Sequence, residues 1–399
     1  EPSAELRPPR STLEAPFAGA GHRSIAERSV PCSSVAMARS ASISHLSSLA
    51  LLAGLAACDA ATAPSTETND VVVDTESEAA WAQYVANHAF ASSYAPRCRP
   101  YEPSAIDDLS RRPRVLVTGF GRFLNIRENA TGRILERFLP GLAYPETEPP
   151  APSEVDDPAA QTSVESGVVA LPRSGEVEVC AMVLPVFWDL AGALLLAEAE
   201  SFAPDLIVMN GVAGYTQPLW LELGAVNEAV GLEDGSGVLA ALPDSPILAE
   251  IPDGLDARPN LLSWSEVRDA AEREVAARRD SLEGSRSFGE VLGGVRYAGF
   301  PRGSNTYLCN DTTFLVSTVL DHPGHVFRVL EPSHPREGGP TGLDVSTSLD
   351  GPSLPRVFVH WPSSLSVSTA AALLGAIVDA QLSANEAPTR GDPSLAEVW

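Results

Sequence analysis

Lysine is absent. All 27 basic residues of the 399-residue sequence are arginines, which removes every mechanism that needs a side-chain amine: P-loop phosphate capture, Schiff bases, pyridoxal anchoring and Ser–Lys dyads. Positive charge of any kind is scarce. Against 52 acidic residues it leaves a formal charge of −25, which excludes nucleic acid as a partner. Aromatic residues make up only 6% and cysteines number five. A dinucleotide fingerprint is incomplete: the stretch from Gly119 reads G-F-G-R-F-L, with Leu124 where the third glycine belongs, which argues against a nicotinamide or flavin site. What is present, 44% hydrophobic residues with 34 Pro and 30 Gly, is the composition of a globular chain with long connections.

The front of the chain reads as an address. Residues 1–36 are rich in Pro, Ser, Ala and Arg without any period, and are expected to be an upstream extension that is not translated. Residues 37–57 run from Met37 through Arg39 and an apolar stretch, Leu46 to Ala57, that is too short to span a bilayer as a stable helix. Leu55-Ala56-Ala57-Cys58 resembles a bacterial lipobox, which implies export, lipidation of Cys58 and contact with the membrane through that anchor only, at the cell envelope. A plain signal peptide with an incidental Cys is the alternative. Residues 58–77 read as a polar tether, and 78–112 as an amphipathic helix, with Trp81, Val85 and Phe90 on its apolar side, followed by a connector.

From residue 113 to 385 buried strands alternate with helices. The strand patterns are 111–122, 177–186, 204–214 and 356–362; the helix patterns are 129–142, 189–202, 265–279, 306–320 and 368–382. Uninterrupted apolar strands such as Val115-Leu116-Val117 fit a sheet covered on both faces. The expected fold is therefore α/β: a three-layer α/β/α arrangement with a mainly parallel twisted sheet, in a single domain with inserted loops. The Pro-rich acidic segment 144–167 reads as an exposed excursion, 238–300 as a variable region and 386–399 as a tail. In such sheets ligands bind at the carboxyl ends of the strands, near Phe120–Phe123 and Gly211–Gly214.

Setting aside Cys32 and Cys58, three cysteines remain. Cys309 falls in the first turn of a predicted helix, where unpaired N–H groups favour a thiolate; a packing role is the plainer alternative. With Cys309 reserved and export assumed, Cys98 and Cys180 are left as a candidate disulfide. A nucleophilic Cys needs a base, and the base an orienting group. His360 ends a buried strand, and Glu222 lies in the apolar context PLWLELGAVN, where a charge needs a partner. His88 reads as a surface or packing residue.

Taken together, these three positions sit in blocks that resemble the pyroglutamyl-peptidase I (pyrrolidone-carboxylate peptidase) family of cysteine peptidases. VLVTGFGRF, VLPVFW with PDLIVMNGVAG, LELGAVN, and GSNTYLCN with VFVHWP appear in the family's order. The resemblance implies Cys309 as nucleophile, His360 as base, Glu222 as its orienting acid, and Phe120, Phe123, Val212 and Asn310 as substrate-binding residues. It implies a peptide substrate with a blocked amino terminus and neither metal nor organic cofactor, and it leaves a homo-oligomer open. Departures concern the substrate more than the reaction: Arg122, Leu124 and Asn125 replace the family's Pro and Gly-Gly, adding a cation to the first loop, and Leu223 stands where the family has Arg. An inactive, lipid-anchored binding protein retaining the fold is the alternative reading.

Overall fold

The computed structural model describes residues 73–102, 111–214, 218–237, 245–279 and 291–397, with the backbone alone at 282–283 and 286–287. The leader, Cys58 and residues 58–72 of the tether lie outside them.

Seven strands form the body of the sheet: β1 (Arg114–Phe120), β2 (Ser163–Leu171), β3 (Gly175–Leu184), β4 (Leu206–Gly214), β5 (Leu219–Glu222), β6 (Val295–Ala298) and β7 (Arg356–Pro362). Their spatial order is β6-β5-β7-β4-β1-β3-β2. β3, β1, β4 and β7 run parallel, and they are the continuous apolar segments; every residue of β1 and β7 is buried. β2 and β5 pair antiparallel with β3 and β7, and β6 follows β5 in parallel. The architecture is α/β with a mostly parallel mixed sheet, as the alternation of patterns indicates.

Among the described residues six helices cover the two faces: α1 (Glu78–Ser93), α2 (Ala130–Phe138), α3 (Leu190–Phe202), α4 (Trp264–Ala277), α5 (Leu308–Asp321) and α6 (Val367–Leu382). Because strand side chains alternate, neighbouring residues of one strand feed two separate cores. Leu116, Met182, Met209 and Phe358 pack with Leu194 and Leu195 of α3 and Phe314 and Leu315 of α5. Val115, Val117, Val208 and Val359 pack with Ile134 of α2, Val267 of α4 and Leu374 and Ile377 of α6. No helix among the described residues is long and apolar enough to cross a membrane.

Three expectations need correction. α1 leaves Val85 exposed and packs Trp81 and Phe90 only half-buried against the core, while the residues it buries fully are Ala80, Gln83, Tyr84 and Asn87. The reason is polar docking: Gln83 Nε2 donates to Asn87 Oδ1 at 2.9 Å and to Asp156 O at 2.8 Å, and its Oε1 accepts from Asp156 N at 2.8 Å. The excursion 144–167 is not exposed throughout, since Asp156, Gln161 and Thr162 are buried and Ser163 already belongs to β2. The segment expected as a tail adds a short strand, Thr389–Arg390, to the sheet through Leu261–Leu262. Cys98 and Cys180 are bonded to each other, with Cα atoms 5.7 Å apart, which ties the segment after α1 to β3.

Candidate active site

Alternation along β7 puts Phe358 and His360 on one face of the sheet. Across the antiparallel β5 pair, Phe358 stands opposite Glu222 and His360 opposite Trp220, so Glu222 is the diagonal neighbour of His360. The carboxylate reaches along that diagonal: His360 Nδ1 and Glu222 Oε1 are 2.8 Å apart, with both side chains almost fully buried. On the other side of β7, His360 lies opposite Gly211 of β4. Here α5 begins. Its N-cap is Tyr307, which makes Cys309 the second helical residue. A Cβ added at Gly211 would sit 2.8 Å from Cys309 Sγ and 2.8 Å from the Phe358 ring, so glycine is required by space rather than by backbone angle.

Cys309 and His360 share a side-chain hydrogen bond. Burial works to lower the His360 pKa, but the Glu222 carboxylate, then the Cys309 sulfur, outweigh it and raise the value from 6.5 to about 10. The imidazole is therefore held as a cation at neutral pH, between an acid that fixes it and the sulfur it faces. Sulfur, imidazole and carboxylate, distant in sequence, meet at the carboxyl ends of the central strands.

Cys309 opens into a cavity of about 520 Å³ whose walls include Phe120, Phe123, Val212 and Tyr307. Phe123 and Tyr307 meet edge to face with ring centroids 6.0 Å apart, and Tyr307 packs likewise on Trp188 at 5.2 Å. Tyr307 donates its hydroxyl hydrogen to Glu233 O, which fixes the ring as a wall. Sequence reasoning missed Tyr307; its only signal was its place two residues before the Cys. Because the Tyr307 side chain makes no capping bond, the N–H groups of Leu308 and Cys309 point out of the helix end without intrahelical partners.

Asn310 does not join the site. Its Oδ1 accepts from Val226 N at 2.9 Å, and its Nδ2 donates to Val226 O and Glu228 O at 2.9 and 2.8 Å. The amide is committed to holding residues 224–228 against α5, so it pins a segment instead of binding a ligand. Nor does Arg122 bring a cation to the cavity. It is 1% exposed, pairs with Asp156 and donates to Leu124 O at 2.7 Å. Leu223, the residue after β5, is buried in the other core.

A second acid cluster lies beneath the same helix turn. Asp189, the residue before α3, and Asp311, two residues past Cys309, are both buried and share a side-chain hydrogen bond. Asp189 N donates to Asp311 Oδ2 at 3.1 Å, and Leu330 N donates to Asp189 Oδ2 at 2.7 Å. Burial raises both carboxyl pKa values. Sequence gave no warning, since each acid alone looks like an ordinary helix-start residue.

A larger groove, about 610 Å³, lies between α2, α4 and α6, and among the described residues its lining holds neither a cysteine nor a histidine. Cys98, Cys180 and Glu198 are the described residues grouped closely enough to suggest metal ligands. The two sulfurs bond each other, and Glu198 accepts from Tyr94 Oη, Arg97 N and Cys98 N at 2.6, 2.7 and 3.0 Å. That cluster is a cross-link, not a cradle for an ion.

No protein-family model and no curated protein matches the chain. Among solved structures it is similar to pyroglutamyl peptidase I from Bacillus amyloliquefaciens, at 14% identity and a TM-score of 0.43, over 68% of this chain and 97% of that one. It is also similar to a variant of pyrrolidone carboxyl peptidase from the hyperthermophile Pyrococcus furiosus, at 18% identity and a TM-score of 0.39, over 68% of this chain and all of the other. At such identities the chemistry has to come from this chain's own side chains.

Proposed function

We propose that this chain is a cysteine peptidase that hydrolyses the amide after an amino-terminal pyroglutamyl or similar small acyl group. The observation that carries the reading is the contact chain from Cys309 through His360 to Glu222 at the wall of an apolar cavity. The Cys309 sulfur attacks the carbonyl carbon, forming the C–S bond, while N–H groups at the start of α5 support the oxyanion. His360 gives its proton to the departing nitrogen as the C–N bond breaks. Neutral His360 then takes a proton from water, whose oxygen displaces the sulfur and frees the acid. Glu222 stabilises the imidazolium throughout. A neutral five-membered lactam suits walls of Phe120, Phe123 and Val212 that carry no cation. We further propose export and anchoring through lipidated Cys58, on the strength of the lipobox-like stretch alone.

Incubation with a pyroglutamyl fluorogenic amide tests the reading. Turnover is expected, with Cys309→Ser slower by about 10³-fold or more. Equal rates from both proteins would retire the catalytic role. Binding of pyroglutamate without turnover would favour the alternative of an inactive binding protein, to which the burial of Arg122 lends support.

A further inference from the structure

Among the described residues, the cavity beside Cys309 is lined by one carboxyl side chain, Glu128, and no arginine. Its other polar side chains are engaged. Asn129 Oδ1 accepts from Thr131 N and Oγ1 at 3.1 and 2.8 Å, Tyr307 donates to Glu233 O, and Ser363 Oγ donates to Gly214 O at 3.0 Å. The charge also has a definite place. Glu128, with its side chain 71% exposed, and Ile126, 58% exposed, stand at the mouth, whereas Phe120 and Val186 are buried in the floor.

Glu128 accepts from Arg133 Nη2 at 3.0 Å, but it shares that partner with other carboxylates. Arg133 lies equally 3.0 Å from Glu136 and Glu146, and the neighbouring Arg127 is taken by Glu148 at 2.5 Å. The cluster holds four carboxylates and two guanidinium groups. Behind it stands a chain of net charge −25, whose field draws cations toward the opening.

A substrate whose acyl end sits on the apolar floor next to Cys309 must send its departing chain out to solvent through that mouth. We propose that the mouth selects peptides in which the residue after the scissile amide is basic. This rests on the peptidase reading above and adds the substrate class to it: a neutral, compact acyl group followed by an Arg or Lys side chain that reaches the Glu128 cluster.

The test uses three peptides identical except for Arg, Ala or Glu after pyroglutamate, assayed with the chain and with Glu128→Gln at about 20 mM and about 500 mM salt, where screening lengths differ several-fold. The expected order of kcat/KM is Arg, Ala, Glu. The Arg-to-Glu ratio should be on the order of tenfold at low salt and shrink at high salt, and Glu128→Gln should reduce it several-fold at low salt. Equal rates for the three peptides, or a ratio indifferent to Glu128→Gln, would overturn the selection while leaving the peptidase reading intact. A fourth peptide carries Arg behind an unblocked amino terminus; preference for it would assign Glu128 to the terminal ammonium instead and overturn the proposal. If none of the peptides is cleaved, the peptidase reading itself fails and takes the selection with it.

Discussion

Two buried carboxyl clusters flank the first turn of α5, and the interior treats them in opposite ways. On the sheet side Glu222 meets His360 at 2.8 Å, and the imidazole stays charged with its pKa raised to about 10. On the helix side Asp189 and Asp311 meet each other, and among the described residues neither has an ion-pair partner. The nearby Glu331 adds a like charge to Asp189. The sheet-side cluster therefore stores charge and the helix-side cluster stores a proton. A buried acid keeps its charge only when an opposite charge lies within contact distance; otherwise it keeps its hydrogen. Catalysis needs the first kind of cluster beside the sulfur, and the second kind underneath does not compete for the imidazolium.

The largest effect should come from breaking the charged cluster. Glu222→Gln keeps shape but removes the anion, and a loss of about 10³- to 10⁴-fold in turnover of a pyroglutamyl amide is expected. Its stability should change on the alkaline limb. His360 has a folded pKa above its ordinary 6.5, so its pairing contributes fully below about pH 6.5 and is lost as pH rises through about 10. Urea midpoints from pH 6 to 11 should show that decline in the native chain and a flatter profile in the variant. An unchanged alkaline limb would mean that the imidazole is not held by this carboxylate.

The next effect probes how close the sulfur is held. Gly211→Ala places a methyl group 2.8 Å from both Cys309 Sγ and the Phe358 ring. Overpacking of this kind costs about 1–3 kcal/mol, and a displaced nucleophile loses about 10- to 100-fold in rate. Thermal unfolding and turnover measured side by side check both numbers. Full activity would show that the sulfur has room to spare and that the glycine serves only the strand.

The sheet-side cluster was legible in the sequence because each member sits on a regular element with a strong local signal. VFVHWP can only be a buried strand, PLWLELG isolates one acid among apolar residues, and Cys309 opens a helix. The wall on the first loop was not legible. Arg122 reads as a cation offered to substrate, but its partner Asp156 lies 34 residues on, inside a Pro-rich segment whose composition signals exposure, and Gln83 of α1 holds that segment from yet farther away. Asn310 failed for the same reason: its partners, Val226 and Glu228, are backbone groups brought to it by the fold. Period and motif report what an element is; they are silent on which distant polar group consumes a side chain.

The smallest effect on rate, and the sharpest contrast, belongs to Asp311→Asn. The amide of Asn donates to Asp189 as the shared proton does, but it cannot be titrated away. In the native chain both carboxyl pKa values are raised by burial above the ordinary Asp value. The folded state therefore binds more protons than the unfolded one just above the normal carboxylate range, and stability falls as pH rises through it. The variant carries only one of the two ionisations. It should match the native chain within about 0.5 kcal/mol near pH 4 and exceed it by about 1 kcal/mol or more near pH 8, with turnover changed less than about threefold, because Asp311 is not one of the residues that line the cavity. Urea midpoints across pH 4 to 11 provide the measurement. A steeper fall in the variant would mean that the acids are not sharing a proton, and a shift of the alkaline limb would mean that the two clusters are electrostatically one.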